Sequence, residues 1–254
     1  MPELSAGRRT APSELVLIRH GESVGNVADR VAREKDAHHL ELDYRDADTP
    51  LSDVGEEQAS AVGRWAASLG EQERPRVVIS SPYRRAFQTA QLAVKELGLS
   101  DHIVVDERLR ERDLGLFDGM TGAGIRHNYP EEAARRDEVG KFYYRPPGGE
   151  SWTDVVARVR SVLTDIRGEY DEEKVWLFSH QAVIMSFRFV LEGLDEPTLL
   201  DIDRQTPMGN CSMTRYAQSE KGALELVHYA DTSAVEYSDA PTTHEESSGS
   251  GEHQ

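Results

Sequence analysis

Four short apolar runs punctuate the chain, and each stops against polar residues: "LVLIRH" at 15–20, "RVVIS" at 76–80, "IVVD" at 103–106 and "VWLFSH" at 175–180. Runs of this length without alternation predict strands covered on both faces. Between them the period lengthens to that of a helix, in "SDVGEEQASAVGRWAASLG" (52–70), "RRAFQTAQLAVKELG" (84–98) and "SWTDVVARVRSVLTDIRGEY" (151–170). In the last of these, Val155, Val156, Val159, Val162, Leu163 and Ile166 form one apolar stripe. Ser52 and Ser151 stand where a helix needs an N-cap, and Gly70 and Gly98 where it needs a stop. Trp65 and Trp176 fall in these periodic segments and are expected in the core. "CSMTRYA" (211–217), a charged turn at 219–222 and "ALELVHYA" (223–230) predict a hairpin at the sheet edge. Strands alternating with helices predict an α/β domain of three layers, a mostly parallel sheet with helices on both faces. Segments 28–50 and 117–149 have no assignable period. They follow the first and third strands, where they can wall or cover a site.

Composition adds boundaries and exclusions. The 254 residues divide into a disordered leader at 1–13, a domain at 14–237 and an acidic tail at 238–254 with almost nothing to bury. A net charge of -17 excludes nonspecific binding to nucleic acid and to anionic membranes. No stretch approaches the roughly 20 apolar residues of a membrane span, and the start lacks the apolar segment of a secretory signal. One cysteine, Cys211, makes no internal disulfide, so the cytoplasm is the expected compartment. An anionic ligand would have to be met by a local cluster of arginines.

Such a cluster is visible at the strand ends, where open α/β sheets bind their ligands. The first run delivers Arg19 and His20, the second leads to Arg84 and Arg85, the third to Glu111 in "LRERDLG", and the fourth to His180. Two histidines, arginine forks and one carboxyl group suit phosphoryl transfer. A neutral imidazole attacks phosphorus, cations hold the equatorial oxygens, and a carboxylic acid protonates the leaving oxygen. His38 and His39 have no third ligand at a recognisable spacing, so they read as loop residues and no metal site is expected.

The motifs also occur in a recognisable order. "RHGES" with Asn26 six residues after the histidine, "DTPLSDVGEEQA" (48–59), "SSPYRRAFQTA", "LRERDLG" and "VWLFSHQAVI" together resemble the histidine phosphatase superfamily, the phosphoglycerate mutase-like enzymes, over roughly 14–217. The resemblance implies a phosphoglycerate mutase-like fold. It matches His20 to the phosphorylated nucleophile, Arg19, Arg85 and His180 to the phosphate clamp, and Glu111 to the proton donor. Arg85 is chosen over Arg84 because the family arginine directly precedes alanine. Asn26 and Ser23 match positions at the phosphate pocket. The stretch from "FDGM" through "YPEE" to "GGES" resembles fructose-2,6-bisphosphatase domains, which puts Arg136, Lys141 and Gln181 at sugar-phosphate contacts. Gly122 and Trp152 depart from that group's tyrosines, and Met185 from its arginine.

The implied activity is metal-independent phosphomonoester hydrolysis through a phosphohistidine, without a cofactor, on small phosphorylated metabolites such as sugar phosphates or phosphoglycerate derivatives. A phosphoglycerate mutase is the alternative of the same chemistry, and a non-catalytic phospho-ligand binding module that of another class; the module should have lost His20 or Glu111. The expected partner is a small phosphorylated substrate, with no nucleic acid and no membrane. A homodimer is left open.

Overall fold

The computed structural model describes residues 11–99 and 102–244. Among these, one sheet holds β1 (Glu14–Arg19), β2 (Val77–Ser80), β3 (Val104–Val105), β4 (Lys174–Ser179), β5 (Met213–Gln218) and β6 (Leu224–Asp231), in the order β3-β2-β4-β1-β5-β6. The four strands predicted from apolar runs all pair in parallel, while β5 runs antiparallel to β1 and β6 to β5. Only β6 of the predicted hairpin is an edge, because β5 is paired on both sides.

Successive residues of the central strands enter opposite cores. Leu15, Leu17, Val175 and Leu177 join one cluster, and Val16, Ile18, Trp176 and Phe178 the other. Helices α2 (Asp53–Ser68) and α3 (Arg84–Leu97), with the short α9 (Ser233–Glu236), cover the second cluster. The first lies under α6 (Trp152–Glu169) and α7 (Gln181–Glu192). Burial on both faces is why the strands read as unbroken apolar runs. The six stripe residues of α6 are all buried.

Ser52 and Ser151 cap α2 and α6 as expected, each hydroxyl accepting a backbone N–H from the first turn. Gly98 ends α3 in the left-handed conformation, at φ 74°. Gly70 does not play that part. The chain leaves α2 through Leu69 in an extended conformation, so no left-handed residue is required, and Gly70 instead opens the short turn Glu71–Glu73.

The unassigned segments hold most of α1 (Val24–Glu34) and all of α4 (Gly122–Asn128) and α5 (Pro130–Val139), and both contribute walls to one large cavity. Helix α7 escaped sequence reading for another reason. Ala182 to Arg188 are all buried, so it has no polar face to announce a period. It is followed by α8 (Glu196–Gln205).

The domain boundaries drawn at 13 and 238 need correction. Ala11 is buried and its N–H donates to the Asp171 carboxylate. Ala240 packs into the second core, and Gln58 Nε2 donates to the Pro241 carbonyl at 2.7 Å and to Thr243 Oγ1 at 2.8 Å. Hydrogen bonds rather than apolar content hold this segment, so composition misplaced it. Residues 1–10 of the expected leader and 245–254 of the expected tail lie outside the described residues. Among the described residues, no helix is long and apolar enough to cross a membrane.

Candidate active site

The parallel strands β1, β2 and β4 end side by side, and their next residues build one polar floor. Arg19 and His20 leave β1 buried at 1% and 4% exposure. Gly21 follows because nothing larger fits. A Cβ there would meet the Gly55 carbonyl oxygen at 2.5 Å, so glycine lets the first turn of α2 close over the strand end. The Gly21 N–H donates to Thr89 Oγ1 at 3.0 Å, which gives the threonine of the second motif its task.

The His20 ring is held in one tautomer. Its Nδ1–H donates to the Gly21 carbonyl at 2.7 Å, which leaves Nε2 with a lone pair, and Arg85 Nε–H approaches that atom at 3.3 Å. Burial, then the neighbouring Arg85 and Arg19 cations, push the His20 pKa well below the ordinary imidazole value. His20 is therefore neutral. The second imidazole, His180 after β4, lies with its centroid 5.2 Å from that of His20. Its Nε2 hydrogen-bonds Ser81 Oγ at 2.8 Å, and the Tyr83 ring stands edge-on to it at 5.3 Å. Burial and Arg85 likewise hold the His180 pKa well below its usual value.

Arg85 is buried beside His20, whereas Arg84 is exposed. Its terminal nitrogens are taken by Asp46, with Nη1 donating to the Asp46 backbone oxygen at 2.7 Å and to Oδ1 at 2.8 Å. Arg19 donates to the Met208 carbonyl. Ser23 and Asn26 form the capped first turn of α1, the Ser23 N–H and hydroxyl both donating to Asn26 Oδ1 at 3.0 Å, and both residues line the cavity.

Glu111 reaches the same cavity from the segment after β3. Burial raises its pKa, opposed by the Arg112 N–H, which donates to Oε1 at 2.7 Å, and by Arg85; the Asp46 charge adds to the rise. Arg158 braces this segment, donating to the Arg108 and Glu111 carbonyls, while Glu150 accepts from both Arg110 and Arg158. The Gly-Glu-Ser stretch thus both supports the Glu111 loop and caps α6.

The cavity, about 790 Å³, extends past Glu111 to Gln181, Arg136 and Lys141. One expectation changes here. Lys141 Nζ and Gln181 Nε2 both donate to Asp203, at 2.9 and 2.8 Å, and Asp203 is 3% exposed. The Lys141 charge is therefore already balanced. Arg112 and Arg136 also line the cavity, and among the described residues no acidic side chain pairs with either guanidinium.

Asp46, Tyr83, Arg112 and Asp203 were missed by the sequence reading. Arg112 adjoins Glu111 and Tyr83 adjoins Arg84 within recognised motifs, so nearness could have flagged them; Asp46 and Asp203 carry no local signal. Among the described residues no group of three or more His, Cys, Asp or Glu side chains is arranged to hold a metal, and the His38 ring packs 4.5 Å from that of His127.

The two depressed histidines make a stability prediction. The unfolded chain binds protons on them near pH 6.5 and the folded chain does not, so their contribution is complete above that pH and is lost as pH falls toward the folded values. Denaturant unfolding should show stability dropping below pH 6.5 with a slope approaching about 1.4 kcal/mol per pH unit for each histidine. His180→Asn should remove one histidine's share; an unchanged slope would mean that His180 is protonated in the fold.

A family model described as the histidine phosphatase superfamily (branch 1) matches residues 15–232. The chain belongs to that superfamily. Among its superfamily relatives is a Caenorhabditis elegans 6-phosphofructo-2-kinase/fructose-2,6-bisphosphatase, 32% identical over 231 residues, covering 87% of this chain and 44% of that one. A Salmonella paratyphi C protein named provisionally as a phosphoglycerate mutase is 29% identical over 234 residues, covering 91% and 98%. The solved structure of a mycobacterial glucosyl-3-phosphoglycerate phosphatase superposes with a TM-score of 0.68 at 28% identity, covering 86% of this chain and 99% of that one. The chain spans less than half the length of the first curated relatives it matches. The superfamily architecture and the sheet described above agree.

Proposed function

We propose that the chain is a phosphomonoester hydrolase that passes the phosphoryl group through a phosphohistidine at His20. The observation that carries this reading is the neutral His20 ring, with Nδ1–H committed to Gly21 and the Nε2 lone pair facing Arg85 inside the cavity that holds Glu111. In the first step Nε2 attacks phosphorus and the bond to the leaving oxygen breaks. Arg19, Arg85 and His180 hold the three equatorial oxygens, and the capped turn at Ser23 and Asn26 borders the phosphate. Glu111, whose protonated form burial favours, gives its proton to the departing alcohol. In the second step the Glu111 carboxylate takes a proton from water, whose oxygen attacks phosphorus and releases His20. The superfamily membership and the phosphatase-named relatives support hydrolysis over transfer to a second hydroxyl.

The substrates are small phosphorylated metabolites whose alcohol carries a second anionic group. Arg112 and Arg136 support this part, as cations lining the leaving-group side without an acidic partner. With Lys141 already balanced by Asp203, they take the place of the Arg136–Lys141 pair suggested by resemblance.

The test is a panel of phosphomonoesters, with inorganic phosphate and isomerised ester both quantified, in the presence of EDTA. Release of phosphate with no isomer is expected; an isomerised ester as main product would make the chain a mutase. Arg112→Ala with Arg136→Ala should raise KM for bisphosphates and phospho-acids by about 10- to 100-fold, the scale of losing charge-assisted hydrogen bonds. Hydrolysis of p-nitrophenyl phosphate should change little. Equal losses on both substrate types would remove the second anion from the proposal.

A further inference from the structure

We infer that Asp46 is a positioning residue that aims Arg85 at the transferring phosphoryl group. The inference rests on the reading of Arg85 as a phosphate clamp. A guanidinium has two bidentate edges, one between its terminal nitrogens and one between Nε and a terminal nitrogen. Asp46 occupies the terminal edge, with Oδ1 at 2.8 Å from Nη1 and Oδ2 at 3.4 Å from Nη2, and its backbone oxygen adds a bond to Nη1 at 2.7 Å. The lateral edge is turned the other way. Its Nε–H lies 3.3 Å from His20 Nε2, the atom to which phosphorus must bond. The Tyr83 ring, 5.2 Å from the guanidinium carbon, helps fix the plane.

Asp46 is itself held. It begins the turn Asp46–Asp48, and Thr49, directly after that turn, is buried with its hydroxyl donating to the Arg45 carbonyl. Two residues on, Leu51 pairs with Ser23 beside the phosphate pocket, and its N–H donates to Gln88 on α3, the helix that carries Arg85. Carboxylate and guanidinium are therefore referenced to the same helix. Without the Asp46 carboxylate only the backbone bond to Nη1 remains, so the guanidinium can swing about that one contact and the lateral fork is presented only part of the time. A clamp that must meet the transition state in one orientation loses most from such freedom, so the expected cost falls on turnover more than on ground-state binding.

The test compares Asp46→Ala, Asp46→Asn, Arg85→Ala and the double variant Asp46→Ala with Arg85→Ala. Steady-state rates and inhibition by orthovanadate, a mimic of the five-coordinate phosphoryl group, are measured for each. Asp46→Ala should lower kcat by about 10- to 100-fold, the range set by misplacing a preorganised donor, with little change in KM. Vanadate inhibition should weaken by the same factor. Asp46→Asn keeps a side-chain acceptor for Nη1 beside the backbone oxygen and should recover part of the loss, and it stands in should the alanine variant fold poorly. In the Arg85→Ala background, removing Asp46 should cost nothing further. An equal cost in both backgrounds would overturn the inference, because Asp46 would then act independently of Arg85. Tighter vanadate binding in Asp46→Ala would overturn it too, by making Asp46 a competitor of the phosphoryl group. Wild-type turnover in Arg85→Ala would instead remove the clamp reading on which the inference rests.

Discussion

Replacing His20 with alanine should lower turnover by on the order of 10⁴-fold or more, the scale seen when a covalent nucleophile is deleted. The proposed path has no detour around this atom. The lone pair that Arg85 faces is on His20 Nε2, Nδ1 being committed to Gly21, and the Nε2 of the second imidazole is bonded to Ser81. Brief mixing of wild-type protein with ³²P-labelled substrate, followed by an alkaline quench, should leave label on the peptide that contains His20. The label should then be released by acid, as a phosphoramidate is. The alanine variant should take up none while keeping a cooperative thermal transition, and it should lose one histidine's share of the stability drop below pH 6.5. Label on another residue, or turnover near the wild-type rate, would dismiss the mechanism.

Glu111→Gln is the second large effect, and its signature depends on the leaving group. An alkoxide cannot depart at neutral pH without a proton, so alkyl phosphates should lose about 10²- to 10⁴-fold. Nitrophenolate leaves unaided. With p-nitrophenyl phosphate the variant should give one burst of nitrophenolate per protein molecule and then stall, because the same residue activates water in the second step. The pH dependence has a definite sign. Burial, with Asp46 adding to it, raises the Glu111 pKa, so the acid form persists above the usual carboxyl range. Alkyl phosphate cleavage should fall as pH rises through that value, and the glutamine variant should lack this limb. Stability follows the same linkage. The folded chain binds the Glu111 proton more tightly than the unfolded one, whose value is near 4.5, so this stabilisation is lost as pH rises through the folded pKa. Glutamine should accordingly raise the unfolding midpoint at neutral pH. A variant equally slow with both leaving groups, and without a burst, would assign the proton donor elsewhere.

Both predictions begin from residues that a reading of the chain alone selects, and this was possible for a physical reason. Strands buried on two faces write themselves as unbroken apolar runs, and a parallel sheet places its chemistry at the ends of those runs. Arg19, His20 and His180 are therefore legible as neighbours of "LVLI" and "VWLF" before any coordinate is known. The choice of Arg85 over Arg84 came from the resemblance, in which the family arginine directly precedes alanine, and the burial of the one and the exposure of the other support it.

Other features had no comparable trace. Helix α7 is buried all round, so it lacks the polar face that would mark it. The segment at 240–243 looks like tail by composition, yet Gln58 holds it through hydrogen bonds that hydropathy does not register. The resemblance puts Lys141 at a sugar-phosphate contact, and its ion-pair partner, Asp203, leaves no local trace because it lies 62 residues away on α8.

What the sequence by itself determined was the parallel α/β framework and the residue types gathered at its strand ends, because each is written in local period and local motif. Only the tertiary structure decided which tautomer His20 holds, which edge of Arg85 faces it, which cations along the cavity are already balanced, and that Asp46 belongs to the site. Those are properties of side chains brought together from distant segments, and charge, burial and hydrogen bonding between such groups exist only once the chain has folded.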